Sequence, residues 1–261
     1  MVRIRTLTLA EWFSAFQLRY ASQRFTHLPG TIDVDVTALV RAAEAGGHRF
    51  SPTAALAKAA ALLMRDKPHL NRMLFHTFFG KRIAEFDEIR VNLPVMIANN
   101  GTPVLSAMVF EDALNKSVPE LHAEIRTFSK KDLNELPITR FATTRGNFFW
   151  NRLALRIIHM MVNRFPRLYA TKGGGVSVTS LIGRNLPGAI LRGSPLGQTS
   201  FTFSVNSFHP QADGTYLLSV GIDYNHSVLG GDEASDACFH IAKLLSQPDL
   251  ESFYPTTRVE D

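Results

Sequence analysis

The chain has 261 residues, 45% hydrophobic and 20% charged, a balance that supports a packed core without disulfides or structural metal. Its one cysteine, Cys238, excludes an internal disulfide and fits a reducing compartment, while a formal charge of +5 keeps anionic ligands, membrane surfaces and nucleic acid in play. No run of about 18 uncharged apolar residues is present to span a bilayer, and Met1-Val2-Arg3-Ile4-Arg5 lacks the apolar stretch of a secretory leader, so the cytoplasm is the expected compartment.

Residues 8–21 carry Leu9, Trp12, Phe13 and Phe16 at helical spacing and open the chain as a helix. Residues 31–36 alternate Ile32, Val34 and Val36 with Asp33 and Asp35, the period of a half-buried strand. Thr37 is the expected N-cap of a short helix over 38–45, stopped by Gly46 and Gly47. Ser51 and Pro52 supply a second start signal, for an alanine-rich helix that runs to about Lys67 and ends at Pro68. Strands are expected over 74–79, 81–86 and 89–97. A turn at Asn99-Asn100-Gly101-Thr102 follows, because Asn-Gly tolerates positive φ, with a returning strand over 104–110. A surface helix over 117–131 precedes a strongly apolar helix over 148–165 and a glycine run at 173–175. The last third reads as strands over 176–181, 198–206 and 216–224, closed by a helix over 232–245. No repeat or low-complexity linker divides the chain, so one α+β domain over 1–261 with one large sheet is expected.

Several segments match a known pattern in order. Residues 32–39, Ile-Asp-Val-Asp-Val-Thr-Ala-Leu, form a strand–helix entry, and Pro68-His69-Leu70-Asn71-Arg72 ends a long helix in P-x-L-N. Val176-Ser177-Val178-Thr179-Ser180-Leu181 lies where F-T-I-S-N-L-G is expected, and Asn225-His226-Ser227-Val228-Leu229-Gly230-Gly231 where D-H-R-x-x-D-G is expected. Collinear over about residues 26–245, these motifs resemble the catalytic domain of the 2-oxoacid dehydrogenase (dihydrolipoyl) acyltransferases, of the chloramphenicol acetyltransferase-like superfamily. The resemblance implies a two-layer α+β fold with a large mixed sheet and an acyl-CoA-dependent acyltransferase. It also implies a homotrimer with active sites at subunit interfaces and a tunnel that admits coenzyme A from one side.

Acyl transfer from a thioester needs a base for the incoming nucleophile and a donor for the tetrahedral oxyanion. His226, after a strand and before two glycines, falls at the base; histidine's ordinary pKa of about 6.5 suits proton transfer near neutrality. By the same pattern Thr179 falls at the oxyanion donor, with Ser180 as the alternative register. A strand-ending histidine and a strand threonine also have plain structural readings.

The chain departs from the family in three places. The motif's second aspartate is Gly230 and its arginine is Ser227, so the ion pair that holds the histidine's turn is missing. Asp232 and Asp223 are nearby candidates at the wrong spacing. No lipoyl or subunit-binding domain is expected ahead of the first matching strand, so no lipoyl attachment is expected on this chain, and the acceptor would be a separate molecule. The segment 137–172 is extra. Its helix over 148–165 suits a peripheral membrane contact or a lid over an acyl chain, or else packs on the trimer or the core with its arginines snorkelling to water. Apolar residues around more than one side of this helix favour burial on several sides.

Cys238 reads as a small core residue. Lys172-Gly173-Gly174-Gly175 lacks the ending of a phosphate loop, the scattered histidines make no metal set, and no nucleic-acid motif accompanies the basic charge. Two functions therefore stand: an acyl-CoA-dependent acyltransferase with His226, Thr179 or Ser180 in its site, and a catalytically silent scaffold or acyl-binding protein, which Gly230 favours.

Overall fold

A computed structural model describes residues 25–77, 80–99, 102–131, 148–170, 173–180 and 199–255, with residues 9, 12, 15, 16, 19 and 20 from the opening segment. In chain order the elements are β1 (His27–Asp35), α1 (Thr37–Ala45), α2 (Pro52–Asp66), a 3-10 turn (Pro68–Leu70), β2 (Arg72–Thr77), β3 (Gly80–Glu85), β4 (Val91–Asn99) and β5 (Thr102–Phe110). Then come α3 (Val118–Ser129), α4 (Phe148–Arg164), α5 (Pro166–Ala170), β6 (Val176–Ser180), β7 (Phe201–Pro210), β8 (Tyr216–Asn225), α6 (Gly231–Ser246) and α7 (Leu250–Phe253). Six strands form a mixed sheet in the order β1-β8-β7-β6-β4-β5, and β2 and β3 form a separate hairpin. Among the described strands only the β4–β6 and β6–β7 neighbours are parallel.

Strand alternation makes the two faces of this sheet chemically different. Val176, Val178, Phe201, Phe203, Val205, Leu218, Val220 and Ile222 are buried and belong to the hydrophobic core with α2 and α6. The intervening positions, Ser177, Thr179, Thr202, Ser204, Ser219 and Asp223, give the other face a small, polar character. Alanines let α2 sit close to the sheet: Ala54, Ala55, Ala57, Ala59, Ala60 and Ala61 are fully buried. Lys58, in the same helix, is buried too, and its Nζ donates to the carbonyls of Leu114 (2.5 Å) and Lys116 (2.9 Å). Burial, the largest effect, lowers its pKa.

Element types follow the expectations, and the differences have local causes. β1 begins at His27, through Pro29 and Gly30, because an edge strand tolerates proline and pairs with β8 along its whole length. Thr37 is the first residue of α1 rather than its cap; its hydroxyl donates to Asp35 Oδ1 (2.5 Å) and accepts from the Tyr216 amide (2.9 Å). Ser51 holds the N-cap position of α2, but its hydroxyl meets His122 Nδ1 at 2.9 Å instead of capping the helix. At α3 the capping box is complete, with Glu120 Oε2 accepting from the Ser117 amide at 2.7 Å. Asn99 and Thr102 pair as expected of a two-residue hairpin turn; residues 100–101, like 137–147, 171–172 and Leu181, lie outside the described residues.

The entry to β6 is sewn to β4 by Asn92, whose side chain donates to the Gly174 carbonyl (2.9 Å) and accepts from the Gly174 amide (3.2 Å). A Cβ on Gly174 would overlap the backbone of Arg90. Gly174→Ala should therefore lower stability by about 2–3 kcal/mol, as expected for overpacking against unyielding backbone, measured as a lower urea midpoint; an unchanged midpoint would show that the entry relaxes freely.

Candidate functional site

His226 is the first residue beyond β8, in a turn that leads into α6. Fully buried Asn225 organises this turn. Its amide donates to the Ser200 carbonyl (2.9 Å), its carbonyl accepts from the amides of Val228 and Leu229, and its Oδ1 accepts from the Ser227 amide (3.0 Å). The His226 amide donates to the Thr26 carbonyl at 2.7 Å. The His226 side chain is exposed, edge-on to the Tyr224 ring with centroids 5.9 Å apart.

A backbone carbonyl orients the imidazole. Its Nδ1 lies 3.0 Å from the Leu229 carbonyl oxygen. A carbonyl oxygen only accepts, so Nδ1 must carry the hydrogen. In the neutral ring Nε2 then keeps its lone pair, the arrangement a general base needs.

Arg72 and Glu233 hold the turn from outside. Arg72 Nη2 donates to the Val228 carbonyl (3.0 Å) and to both Glu233 carboxylate oxygens (2.8 Å each). Glu233 Oε2 also accepts from the Gly230 amide at 2.9 Å, so one carboxylate ties the start of α6 to the guanidinium. Arg72 is itself anchored, because the Ser200 hydroxyl donates to its carbonyl. The preceding Asn71 donates to the carbonyls of Phe86 (2.7 Å) and Glu88 (3.0 Å) and sets the base of the β2–β3 hairpin.

This arrangement corrects the expectation for the missing ion pair. Neither Asp232 nor Asp223 substitutes for it: Asp232 is exposed, and Asp223 Oδ1 lies 2.8 Å from His27 Nδ1. Glu233, three residues after Gly230, supplies the carboxylate at this turn, and its side chain is long enough to reach both the Gly230 amide and Arg72. The signal was present as Gly230-x-x-Glu233, the spacing at which a third-position glutamate accepts from the N-cap amide.

Thr179 and His226 are not together within one chain. Thr179 pairs with Ser204, which faces Gly221, whereas Asn225 bonds to Ser200 at the opposite end of β7. At about 3.3 Å per residue and 4.8 Å per strand, the two side chains stand roughly 15–20 Å apart. Thr179 lies on the polar face of the sheet; Ser180 alternates to the face of Val178 at the strand's end. Both are half-buried. Cys238 is half-buried against the core, and burial raises its thiol pKa, which disfavours a nucleophilic thiolate.

No family model matches the chain and no curated protein matches it. Solved structures do. A probable dihydrolipoamide acetyltransferase from Listeria monocytogenes superposes with a TM-score of 0.65 at 17% identity, over 95% of each chain. The dihydrolipoamide acetyltransferase of Azotobacter vinelandii, studied for the roles of a serine, a histidine and an asparagine in its catalytic mechanism, gives 0.64 at 16% identity over 97% of this chain and 93% of that one. A truncated catalytic core of the 2-oxoacid dehydrogenase multienzyme complex from Thermoplasma acidophilum gives 0.62 at 16% identity, over 95% and 99%. The chain thus has the fold of these acyltransferase cores, a mixed α/β architecture with one large sheet.

Removing the carboxylate of the clamp should both destabilise the chain and loosen the turn. Glu233→Ala is expected to cost roughly 1–3 kcal/mol, the range for hydrogen bonds to charged partners, while Asp232→Ala at the exposed neighbouring position should leave the unfolding midpoint unchanged. Equal effects of the two substitutions would contradict the assignment of the clamp.

Proposed function

We propose that this chain is an acyl-CoA-dependent acyltransferase, with His226 as general base and Thr179 as oxyanion donor. One observation carries the reading. The Leu229 carbonyl fixes the hydrogen on Nδ1, so Nε2 is left as an exposed base at the end of a rigid strand. The fold shared with dihydrolipoamide acetyltransferases supports the same chemistry.

In the proposed reaction, Nε2 takes the proton from an acceptor thiol, hydroxyl or amine as that group attacks the thioester carbonyl. The resulting tetrahedral oxyanion accepts a hydrogen bond from the Thr179 hydroxyl. Collapse breaks the carbon–sulfur bond, and the imidazolium returns its proton to the departing coenzyme A thiolate. Coenzyme A serves as part of the substrate; the steps call for no metal and no lipoyl group on this chain. A cytoplasmic site, beside the pool of acyl-CoA, fits this chemistry.

The separation of Thr179 from His226 gives the proposal its quaternary form. A site needing both residues is completed when His226 of one copy meets Thr179 of the next, which a homotrimer repeats three times around its axis. In the Azotobacter enzyme the named histidine and asparagine stand four residues apart. Four residues after His226 this chain has Gly230, which has no side chain, and the Arg72–Glu233 clamp takes over the support of the turn.

The test is release of coenzyme A from a panel of acyl-CoAs offered with thiol, alcohol and amine acceptors. His226→Ala should lower release by about 100-fold or more, and Thr179→Ala by about 100-fold, with melting behaviour retained. Binding of acyl-CoA without release under any pairing would overturn the catalytic reading in favour of the silent acyl-binding one.

A further inference from the structure

Helix α4 is turned inside out for a soluble surface. Leu155 and Asn163 are buried, while Phe149, Trp150, Leu153, Ile157, Met160 and Met161 are exposed, Trp150 to 59% and Ile157 to 47%. Around the helix axis Trp150, Leu153, Ile157 and Met161 succeed one another at three- and four-residue intervals, so they form one continuous outward stripe. The side away from the stripe is held by cations: half-buried Arg152 lies 4.9 Å from the Trp12 ring centroid, and Arg156, exposed at the flank, lies 5.3 Å from Trp12 and 5.7 Å from Phe16. These contacts fix the apolar stripe outward.

The charge pattern identifies what would cover the stripe. Helices α4 and α5 carry four arginines, Arg152, Arg156, Arg164 and Arg167, and no aspartate or glutamate. Two copies meeting through α4 about a two-fold axis would set like charges against each other. An anionic lipid surface supplies both an apolar layer for the stripe and negative headgroups for the cations. At 17 residues, about 25 Å, α4 is shorter than the roughly 30 Å hydrocarbon core of a bilayer, and no described helix is long and apolar enough to cross one.

We propose that α4 docks this protein peripherally on anionic membranes, with the Trp150–Leu153–Ile157–Met161 stripe buried at the level of the headgroups. The docking stands independently of the catalytic reading. It also orients the candidate site, because α4 packs on β2, and β2 begins at Arg72, which touches the turn of His226. An acceptor resident in the bilayer would meet that end of the sheet.

Flotation of the full chain with vesicles tests the proposal. Wild type should float with phosphatidylcholine vesicles containing about one-third phosphatidylglycerol, float poorly with phosphatidylcholine alone, and release as salt screens the headgroups. Ile157→Glu combined with Met161→Glu should weaken flotation by at least about tenfold, and exposed Arg167→Glu should weaken it less, both with unchanged melting and elution volume. Trp12→Phe leaves Trp150 as the only tryptophan, and its emission should shift to the blue on adding anionic vesicles. Failure of wild type to float at low salt would overturn the proposal. So would equal flotation of the double variant, or a double variant that changes only the oligomeric state, the mark of a stripe covered by another copy of the chain.

Discussion

Two distant parts of the chain meet where Arg72 bridges the turn of His226 and the first turn of α6 that follows it. Its guanidinium holds the Val228 carbonyl and the Glu233 carboxylate, and that carboxylate holds the Gly230 amide. Without this clamp the residues from 226 to 230 would be tied to the sheet mainly through Asn225 and the bond from the His226 amide to Thr26. The clamp turns a five-residue link into a rigid support, which keeps the Leu229 carbonyl against Nδ1 and Nε2 toward solvent. A charge pair only partly shielded from water contributes modestly to net stability. Its value here is geometric, since it is shared among a strand, a turn and a helix.

The sheet decides how far a single chain can go toward a site. Side chains along β6 and β8 are ordered by pairing through β7, and that register puts Thr179 and His226 at opposite ends. No rotamer change spans roughly 15–20 Å. The face carrying Ser177, Thr179, Thr202 and Ser204 is polar along its length, with Thr202 and Ser204 buried and Ser177 and Thr179 half-buried. In the proposed trimer a neighbouring copy contributes half of each site.

Much of this architecture was legible in the sequence, and the reasons are local. Alternation in Ile32–Val36 and alanine spacing in α2 are direct imprints of burial, and the Ser117–Glu120 capping box is a direct imprint of helix entry. The start of β1 was hidden because Pro29 and Gly30 signal a turn unless the strand lies at a sheet edge. His226 could be placed by motif, but the partners that orient it could not. Leu229 acts through its backbone, and Arg72 and Glu233 are 161 residues apart, so their pairing depends on tertiary structure. For α4, composition suggested burial on several sides, whereas contacts to Trp12 and Phe16 fix one side inward and leave the other exposed.

The central claim, that one copy's His226 works with another copy's Thr179, is tested most directly by subunit complementation. His226→Ala and Thr179→Ala chains would be co-expressed in equal amounts, purified as mixed oligomers and assayed for coenzyme A release against each variant alone. Mixed oligomers should recover roughly a quarter of wild-type activity, the share of neighbouring pairs that join an intact His226 to an intact Thr179. Mixed oligomers no more active than the separate variants would contradict the shared site.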